Sequence, residues 1–369
     1  MKILVGASYG PSLFNFRQDF MKEMVRKGHE VICVSVEPKE MMEPEIQKLG
    51  ASYESLGGSR TGVSLTENIA MFFRYLKIIK RMKPDSCFLF MAKPIIFGGC
   101  AAHFCGVKHI YAFITGLETV FYTKGVKDYI LRNLLCVFYR YILSFTEKCI
   151  FMSRDDYKYM RKKHLLKSGK EVFVNGSGVN MEYFKKYTIP ERLCVCMTSR
   201  LVNGKGVKEY CEAASLLKKK HQEAEFLLVG GLDEHKDAIL EEELLSYLED
   251  GAVTYCGRAD DVRPYLEQCC IFVLPSYHEG NGRSIVEAMA AGRAIVTTDA
   301  TGCRDTVIEG YNGFHVPVGD SAALADKIEL LLERKELREK MGEHSYLLCQ
   351  EKFEVSKINK ILLEAMNLV

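Results

Sequence analysis

The stretch LPSYHEGNGRSIVEAMAAGRAIVTTD, residues 274–299, carries two glutamates eight positions apart, Glu279 and Glu287, on either side of a glycine-containing turn. Carboxylates in such a setting serve as an acid/base pair, as a nucleophile with a helper, or as helix-end ligands. The residues around them narrow the choice. CIFVLPS reads as a buried strand, SIVEAMAAG as a short helix ending at Gly292, and AIVTTD as the next strand. Ser284 and Glu287 make S-x-x-E, the pattern of a capping box, which accounts for Glu287 in purely structural terms. Glu279 has no such account. A glycine turn between a strand and a helix leaves N–H groups aimed at the loop, where phosphate binds well. A carboxylate beside that site repels the anion unless it serves something beyond it, and a sugar hydroxyl is a natural partner.

A second set lies in SRLVNGKGVKEY, where Arg200 follows an apolar run and Lys205 follows a turn at Asn203 and Gly204, just before a helix-like segment. A guanidinium and an ammonium converging on the end of a strand suit a diphosphate, the first as a fork and the second as a point charge. The alternative is a pair of solvated loop charges. A nicotinamide reading also has some support, since Gly280-x-Gly282 follows a strand, opens a helix and is followed by Asp299. It lacks the third glycine, with Ile285 in that place. No D-x-D occurs, and the nine histidines and fourteen cysteines make no zinc spacing, so neither a metal nor a cofactor is expected.

These groups need a scaffold, and the chain supplies a repeating one. Its 369 residues exceed what one core ordinarily organises, which predicts two domains. In the first half KILVG, EVICVSV, SCFLFM, HIYAFI, KCIFM and EVFV read as strands, with helices around 13–27, 65–82, 94–106, 126–145 and 154–163. A second series runs through RLCVCMTS, EFLLVG, VTYCG, CIFVLPS and AIVTTD. Strands alternating with helices predict an α/β chain of two doubly wound, Rossmann-like lobes. Ligands of such folds bind at the carboxyl ends of strands, so the active site is expected in a cleft between the lobes. Turn residues at 175–180 and Pro190 place the linker, giving an N-terminal lobe over 1–185 and a C-terminal lobe over 186–350. The segment 351–369 reads as a helix able to cross back to the first lobe.

Unpatterned cysteines and an N-terminal apolar run of only five residues point to reduced thiols and a cytoplasmic protein, and no apolar run is long enough to span a membrane. The net charge of +2 conceals an asymmetry: residues 1–185 carry 28 Lys and Arg against 17 Asp and Glu, whereas 186–369 carry 22 against 31. A basic half suits nucleic acid or an anionic membrane surface. MFFRYLKIIKRMK places Arg74, Lys77 and Arg81 along one helical face, and YILRNLLCVFYRYILSF is similarly aromatic and basic, a composition that fits anionic lipid as well as an ordinary core helix.

Taken in order, SRLVNGKGV, FLLVGG, YCGRADDV, the stretch around Glu279 and Glu287, and GYNGFHVP resemble the retaining nucleotide-sugar glycosyltransferases of family 4, which have the GT-B fold. The likeness spans the second half, and its E-x7-E element is specific. FNFR, KPIIFGGCAAHFCGV and AFITGLETVFY more loosely resemble the branch that assembles bacterial capsule, O-antigen and glycoprotein glycans, often on undecaprenyl diphosphate. The resemblance implies transfer of a hexose or N-acetylhexosamine from a UDP-sugar to a saccharide on a lipid diphosphate, with retention, by an enzyme peripheral to the cytoplasmic face of the inner membrane, with no nucleic-acid partner. It assigns Arg200 and Lys205 to the donor diphosphate, Glu279 to the donor sugar and Glu287 to the ribose. Gly280, Asn281, Gly282, Arg283 and Ser284 would supply phosphate contacts, and Gly257 and Arg258 would lie near the base. Thr115, Gly116, Glu118, Arg17 and Lys93 are the acceptor-side candidates. Many relatives carry a histidine after the strand matching IYAFI, whereas this chain has Thr115-Gly116-Leu117, with Glu118 where a small residue is usual. A UDP-sugar 2-epimerase on the same fold is the alternative activity.

Overall fold

The computed structural model describes residues 1–58, 65–117, 121, 125–233 and 237–368; Glu118 lies outside them. Among the described residues the first half forms seven strands: β1 (Lys2–Gly6), β2 (Glu30–Ser35), β3 (Ser52–Ser55), β4 (Ser86–Phe90), β5 (His109–Ile114), β6 (Lys148–Phe151) and β7 (Glu171–Phe173). They pair in parallel in the order β3-β2-β1-β4-β5-β6-β7. The second half forms β8 (Cys194–Thr198), β9 (Glu225–Val229), β10 (Thr254–Tyr255), β11 (Ile271–Leu274), β12 (Ala294–Thr298) and β13 (Gly313–Val316), again all parallel, in the order β10-β9-β8-β11-β12-β13. Both sheets are therefore doubly wound. In each, the first strand sits beside the fourth, so the loops after those two strands diverge and open a crevice at the carboxyl edge.

The inner strands are fully buried, as a parallel sheet covered on both faces requires: CVCMT, IFVL and AIVTT have no accessible position. The sequence expectation missed β3 and β13, SYES and GFHV, which are edge strands and carry no continuous apolar run. It also missed the helix Lys39–Gln47, whose Pro44 interrupts the pattern. The stretch expected as one helix over 94–106 is a π turn, Pro94–Gly98, leading into the helix Gly99–Phe104. All fourteen cysteines are free thiols and none is exposed.

The chain divides into two compact units, Met1–Ser177 with Ser356–Val369, and Gly178–Val355. The crossing thus falls eight residues before the expected boundary at 185. The turn-rich segment 178–190 packs onto the second unit, with the Tyr187 amide donating to the Ala291 carbonyl at 3.2 Å and Lys186 ion-paired to Glu343. Incoming and outgoing chain meet side by side, where Val179 N donates to Phe353 O at 2.8 Å and Val355 N to Val179 O at 2.9 Å. The C-terminal segment is consequently not one helix from 351. The helix Lys335–Lys352 ends at Phe353, and the helix Val355–Ala365 follows. The residues after it tie into the first sheet, with Tyr111 Oη donating to Met366 O at 3.3 Å and Asn367 Nδ2 to Glu147 Oε1 at 3.3 Å.

Candidate active site at the switch point of the second unit

The loops after β8 and β11 lie at the switch point of the second sheet, and two glycines let them close on each other. Gly206, at φ +73°, begins the helix Val207–Lys218, and a Cβ placed there would lie 2.1 Å from the Pro275 carbonyl oxygen. The contact is sealed by hydrogen bonds to the Gly204 carbonyl from the Tyr277 amide and the Ser276 hydroxyl, both at 2.9 Å. On the other side Gly302, at φ +77°, would drive a Cβ to 2.2 Å from the Glu279 carbonyl oxygen, and the Glu279 amide donates to Thr301 O at 2.9 Å. Backbone contacts from β8, β11 and the loop after β12 therefore fix where Glu279 stands.

This closure joins two residues 74 positions apart: Lys205 Nζ ion-pairs with Glu279 Oε1, their side chains 19% and 12% exposed. Beneath them lies the buried Cys303 thiol, which burial pushes up to about 12, the Glu279 charge adding to the shift. The turn after Glu279 ends at Gly282, held at φ +49°, and the helix Arg283–Ala290 starts there without any side-chain cap. An uncapped helix start next to a half-buried ammonium is a phosphate-binding arrangement.

The capping box does not form. Gly282 rather than a serine occupies the N-cap, which makes Ser284 the second helical residue and Glu287 the fifth, beyond reach of the first amides. Glu287 instead accepts from Arg283 Nε at 2.8 Å, and Arg283 Nη1 donates to Gly178 O at 2.5 Å. Glu287 is thus an ion-paired carboxylate on the helix face, with its side chain 15% exposed.

Arg200 and Lys205 do not converge on one partner. Arg200 is 57% exposed and bonds to Asp233 at 2.9 Å. The reason lies in sheet order. Leu201 N donates to Gly231 O at 3.1 Å and draws Arg200 toward β9, while the Gly204 carbonyl accepts from the loop after β11 and Lys205 pairs with Glu279 there, on the opposite side of β8. Asp233 and Asp237, which receives the Gly204 amide at 2.9 Å, stand in the loop after β9 and carried no readable sequence signal. Tyr277 was also missed; its hydroxyl donates to Glu209 at 2.6 Å, a bond that helps push the phenol up to about 12. Gly257, at φ +69°, accepts from the Gly230 amide at 2.9 Å, and the neighbouring Arg258 side chain is 82% exposed. Asp299, the acidic residue of the nicotinamide reading, is tied to Arg304 at 2.7 Å.

The acceptor-side candidates belong to the first unit. Arg17 is 2% exposed, its guanidinium over the Phe113 ring at 4.2 Å, and Thr115 and Gly116 follow β5. Lys93 follows β4 and stands beside Pro94 near the buried Tyr75. The expected basic face of the helix Leu65–Met82 is partly neutralised, because Arg74 pairs with Glu67 at 2.7 Å and Arg81 with Glu54 at 2.5 Å.

Two doubly wound parallel sheets, the second with a half-buried cation–carboxylate pair and an uncapped helix start in the loops at its switch point, define a Rossmann-type protein. Comparison with known proteins makes the class specific. Residues 179–347 match the family described as Glycosyl transferases group 1, and residues 2–153 match Glycosyl transferase 4-like. The chain is 30% identical to the N,N'-diacetylbacillosaminyl-diphospho-undecaprenol alpha-1,3-N-acetylgalactosaminyltransferase of Campylobacter jejuni, over 89% of each protein. It is 29% identical to the capsular polysaccharide biosynthesis glycosyltransferase CapM of Staphylococcus aureus over 49% of this chain and 50% of that one. Among solved structures, Anabaena HepE in complex with UDP and glucose superposes with a TM-score of 0.79 over 100% of both chains at 16% identity. The chain belongs to the GT-B glycosyltransferases, and its relatives are enzymes of bacterial polysaccharide and glycan synthesis.

Proposed function

We propose that this glycosyltransferase moves a hexose or N-acetylhexosamine from a UDP-sugar, with retention, to an N-acetylated saccharide on undecaprenyl diphosphate. The Lys205–Glu279 pair over the uncapped helix start carries the reading. A diphosphate settling on the amides before Arg283 comes beside the Lys205 ammonium, while Glu279 is left to hold hydroxyls of the donor sugar. As the bond from the anomeric carbon to the diphosphate oxygen breaks, charge grows on the leaving group, where Lys205 and the helix start are already in place. A new bond forms from that carbon to the acceptor hydroxyl oxygen on the face the diphosphate leaves, which keeps the anomeric configuration, and the departing diphosphate oxygen takes the hydroxyl proton. Glu279, bound to Lys205, orients the sugar and does not attack it. Arg200 swings from Asp233 to the diphosphate, and Glu287 binds the ribose. UDP as the nucleotide draws support from the UDP complex of HepE, and the acceptor class from the name of the Campylobacter enzyme.

Incubating the purified protein with a panel of UDP-sugars and a short-chain lipid-diphosphate N-acetylated saccharide tests this reading. UDP release that depends on the acceptor supports it, and an epimerised donor formed without acceptor overturns it. Transfer is read as metal-independent, so EDTA should leave turnover unchanged. Among the described residues His221, in the turn before β9, meets Glu329 and Glu333 of the helix Ser321–Glu333, and Lys220 already pairs with Glu329 at 3.1 Å.

The acceptor class calls for a membrane surface, and the helix Val126–Phe145 supports one through apolar rather than basic groups. Ile130, Leu134, Val137 and Tyr141 recur at helical spacing and are 63%, 48%, 57% and 44% exposed. Arg140, by contrast, is spent on the carbonyls of Lys163 and His164, both at 3.1 Å. No helix among the described residues is long and apolar enough to cross a membrane. Ile130→Asp with Val137→Asp should abolish flotation with anionic liposomes; equal flotation of variant and wild type sinks the membrane reading.

A further inference from the structure

The second unit leaves its helix start at Arg283 uncapped, and the first unit does the opposite. Its helix Pro11–Arg26 begins at Gly10, and the Gly10 amide donates to Glu37 Oε2 at 2.8 Å. Glu37 stands two residues past β2, so a carboxylate from a neighbouring loop fills the position that a phosphate takes at an open helix start. The crevice between β1 and β4 is shut as well, by Val36, Leu56, Met71 and Pro94 packed around the buried Tyr75. A ligand of this unit therefore meets the loops at the carboxyl edge of the sheet, and it meets a carboxylate there.

Glu37 is held more firmly than capping requires. The Ser35 hydroxyl donates to the same Oε2 at 2.7 Å, and the Tyr53 hydroxyl donates to the Glu37 carbonyl at 2.8 Å. Ser35 and Tyr53 are 0% and 1% exposed, whereas Glu37 is partly exposed. Glycine at position 10 admits the carboxylate, since a Cβ there would lie 2.7 Å from Oε2. All of this engages one oxygen of the pair. Oε1 has no hydrogen-bond partner among the described residues, although each carboxylate oxygen can accept two.

We propose that Glu37 binds the acceptor saccharide, with Oε1 accepting from one sugar hydroxyl. The inference rests on the transfer reaction proposed above, in which the second unit holds the donor and the carboxyl edge of the first is left to the acceptor. Charge selects which part of the acceptor lies here. A carboxylate repels a phosphate, whereas a hydroxyl gains a charge-assisted bond from it. The sugar, and not the lipid diphosphate, is therefore set against the loop after β2.

Glu37→Gln separates this role from capping. The Gly10 amide can only donate, so the glutamine oxygen must face it, and the Nε2 amide takes the place of Oε1. The buried partners stay satisfied while the outward atom turns from acceptor to donor. Glu37→Gln should raise KM for a short-chain lipid-diphosphate N-acetylated saccharide about tenfold or more, the worth of a hydrogen bond to a charged group. Its melting temperature and its calorimetric affinity for UDP should match wild type. An unchanged KM or a fall in UDP affinity overturns the proposal, and so does a melting temperature well below wild type, which would return Glu37 to a structural role. Acceptors that each lack one non-reacting hydroxyl test the contact itself. One of them should lose about tenfold in kcat/KM with wild type and nothing further with Glu37→Gln; additive losses for every analogue overturn it. Saturation-transfer NMR with the methyl glycoside of N-acetylglucosamine reads binding without turnover. If wild type saturates the sugar, Glu37→Gln does so markedly less and no acceptor is glycosylated, the transfer reaction is wrong and the Glu37 contact stands. If transfer proceeds with the same KM in both proteins, only the Glu37 assignment fails.

Discussion

The two switch points share a strand order and differ in chemistry. In the second unit the crevice between β8 and β11 is polar, with Lys205 and Glu279 already paired and a helix start left uncapped beside them. In the first unit the crevice between β1 and β4 is apolar, with one buried hydroxyl that the fold leaves unsatisfied. One is prepared for charge, and the other is closed by apolar side chains packed around Tyr75. A doubly wound sheet thus specifies where a ligand sits, and the loop residues after its central strands decide which kind.

Substitutions can break or sharpen that contrast. Lys205→Ala should have the largest effect, lowering kcat by about 10²–10³-fold, as losing a fixed group aimed at developing charge does; acceptor-dependent UDP release measures it, and near-normal turnover would remove the charged character assigned to the second switch point. Arg200→Ala follows, with a loss of about 10–100-fold in kcat/KM for the donor, since its charged bond to the ligand must replace the one to Asp233. If Arg200→Ala matches wild type, Arg200 is a surface ion pair and Lys205 with the helix start holds the diphosphate alone. Glu287→Ala should be the mildest, weakening UDP binding by about 2–10-fold in calorimetry. Because the pair with Arg283 is only 28% and 15% exposed, losing Glu287 should also lower the melting temperature modestly. A large drop in melting temperature with normal UDP affinity would return Glu287 to a structural role.

Much of this was legible in the residue order. The inner strands of both sheets announced themselves because a parallel strand covered on both faces must be apolar at every position, as IFVL and AIVTT are. The edge strands SYES and GFHV lacked that constraint and were missed. Glu279 stood out because no local role accounts for a carboxylate before a glycine turn. Glu287 was misjudged for the converse reason. S-x-x-E has a local role that depends on where the helix begins, and Gly282 at φ +49° starts it two residues before Ser284. Tyr75 carried no signal, since a tyrosine on an amphipathic helix looks the same whether or not its hydroxyl finds a partner.

The sequence alone determined the class of fold, the positions of the central strands and the types of residue at their carboxyl ends, because each follows from local periodicity and turn chemistry. Only the tertiary structure decided who meets whom. Lys205 and Glu279 are 74 residues apart and touch because β8 and β11 are neighbours in the sheet and Gly206 lets their loops close. Arg200, five residues from Lys205, is carried away from it because the chain between them bonds to β9 on one side and to the loop after β11 on the other. Contacts of this kind depend on strand order, and strand order is not written in any short stretch of the chain.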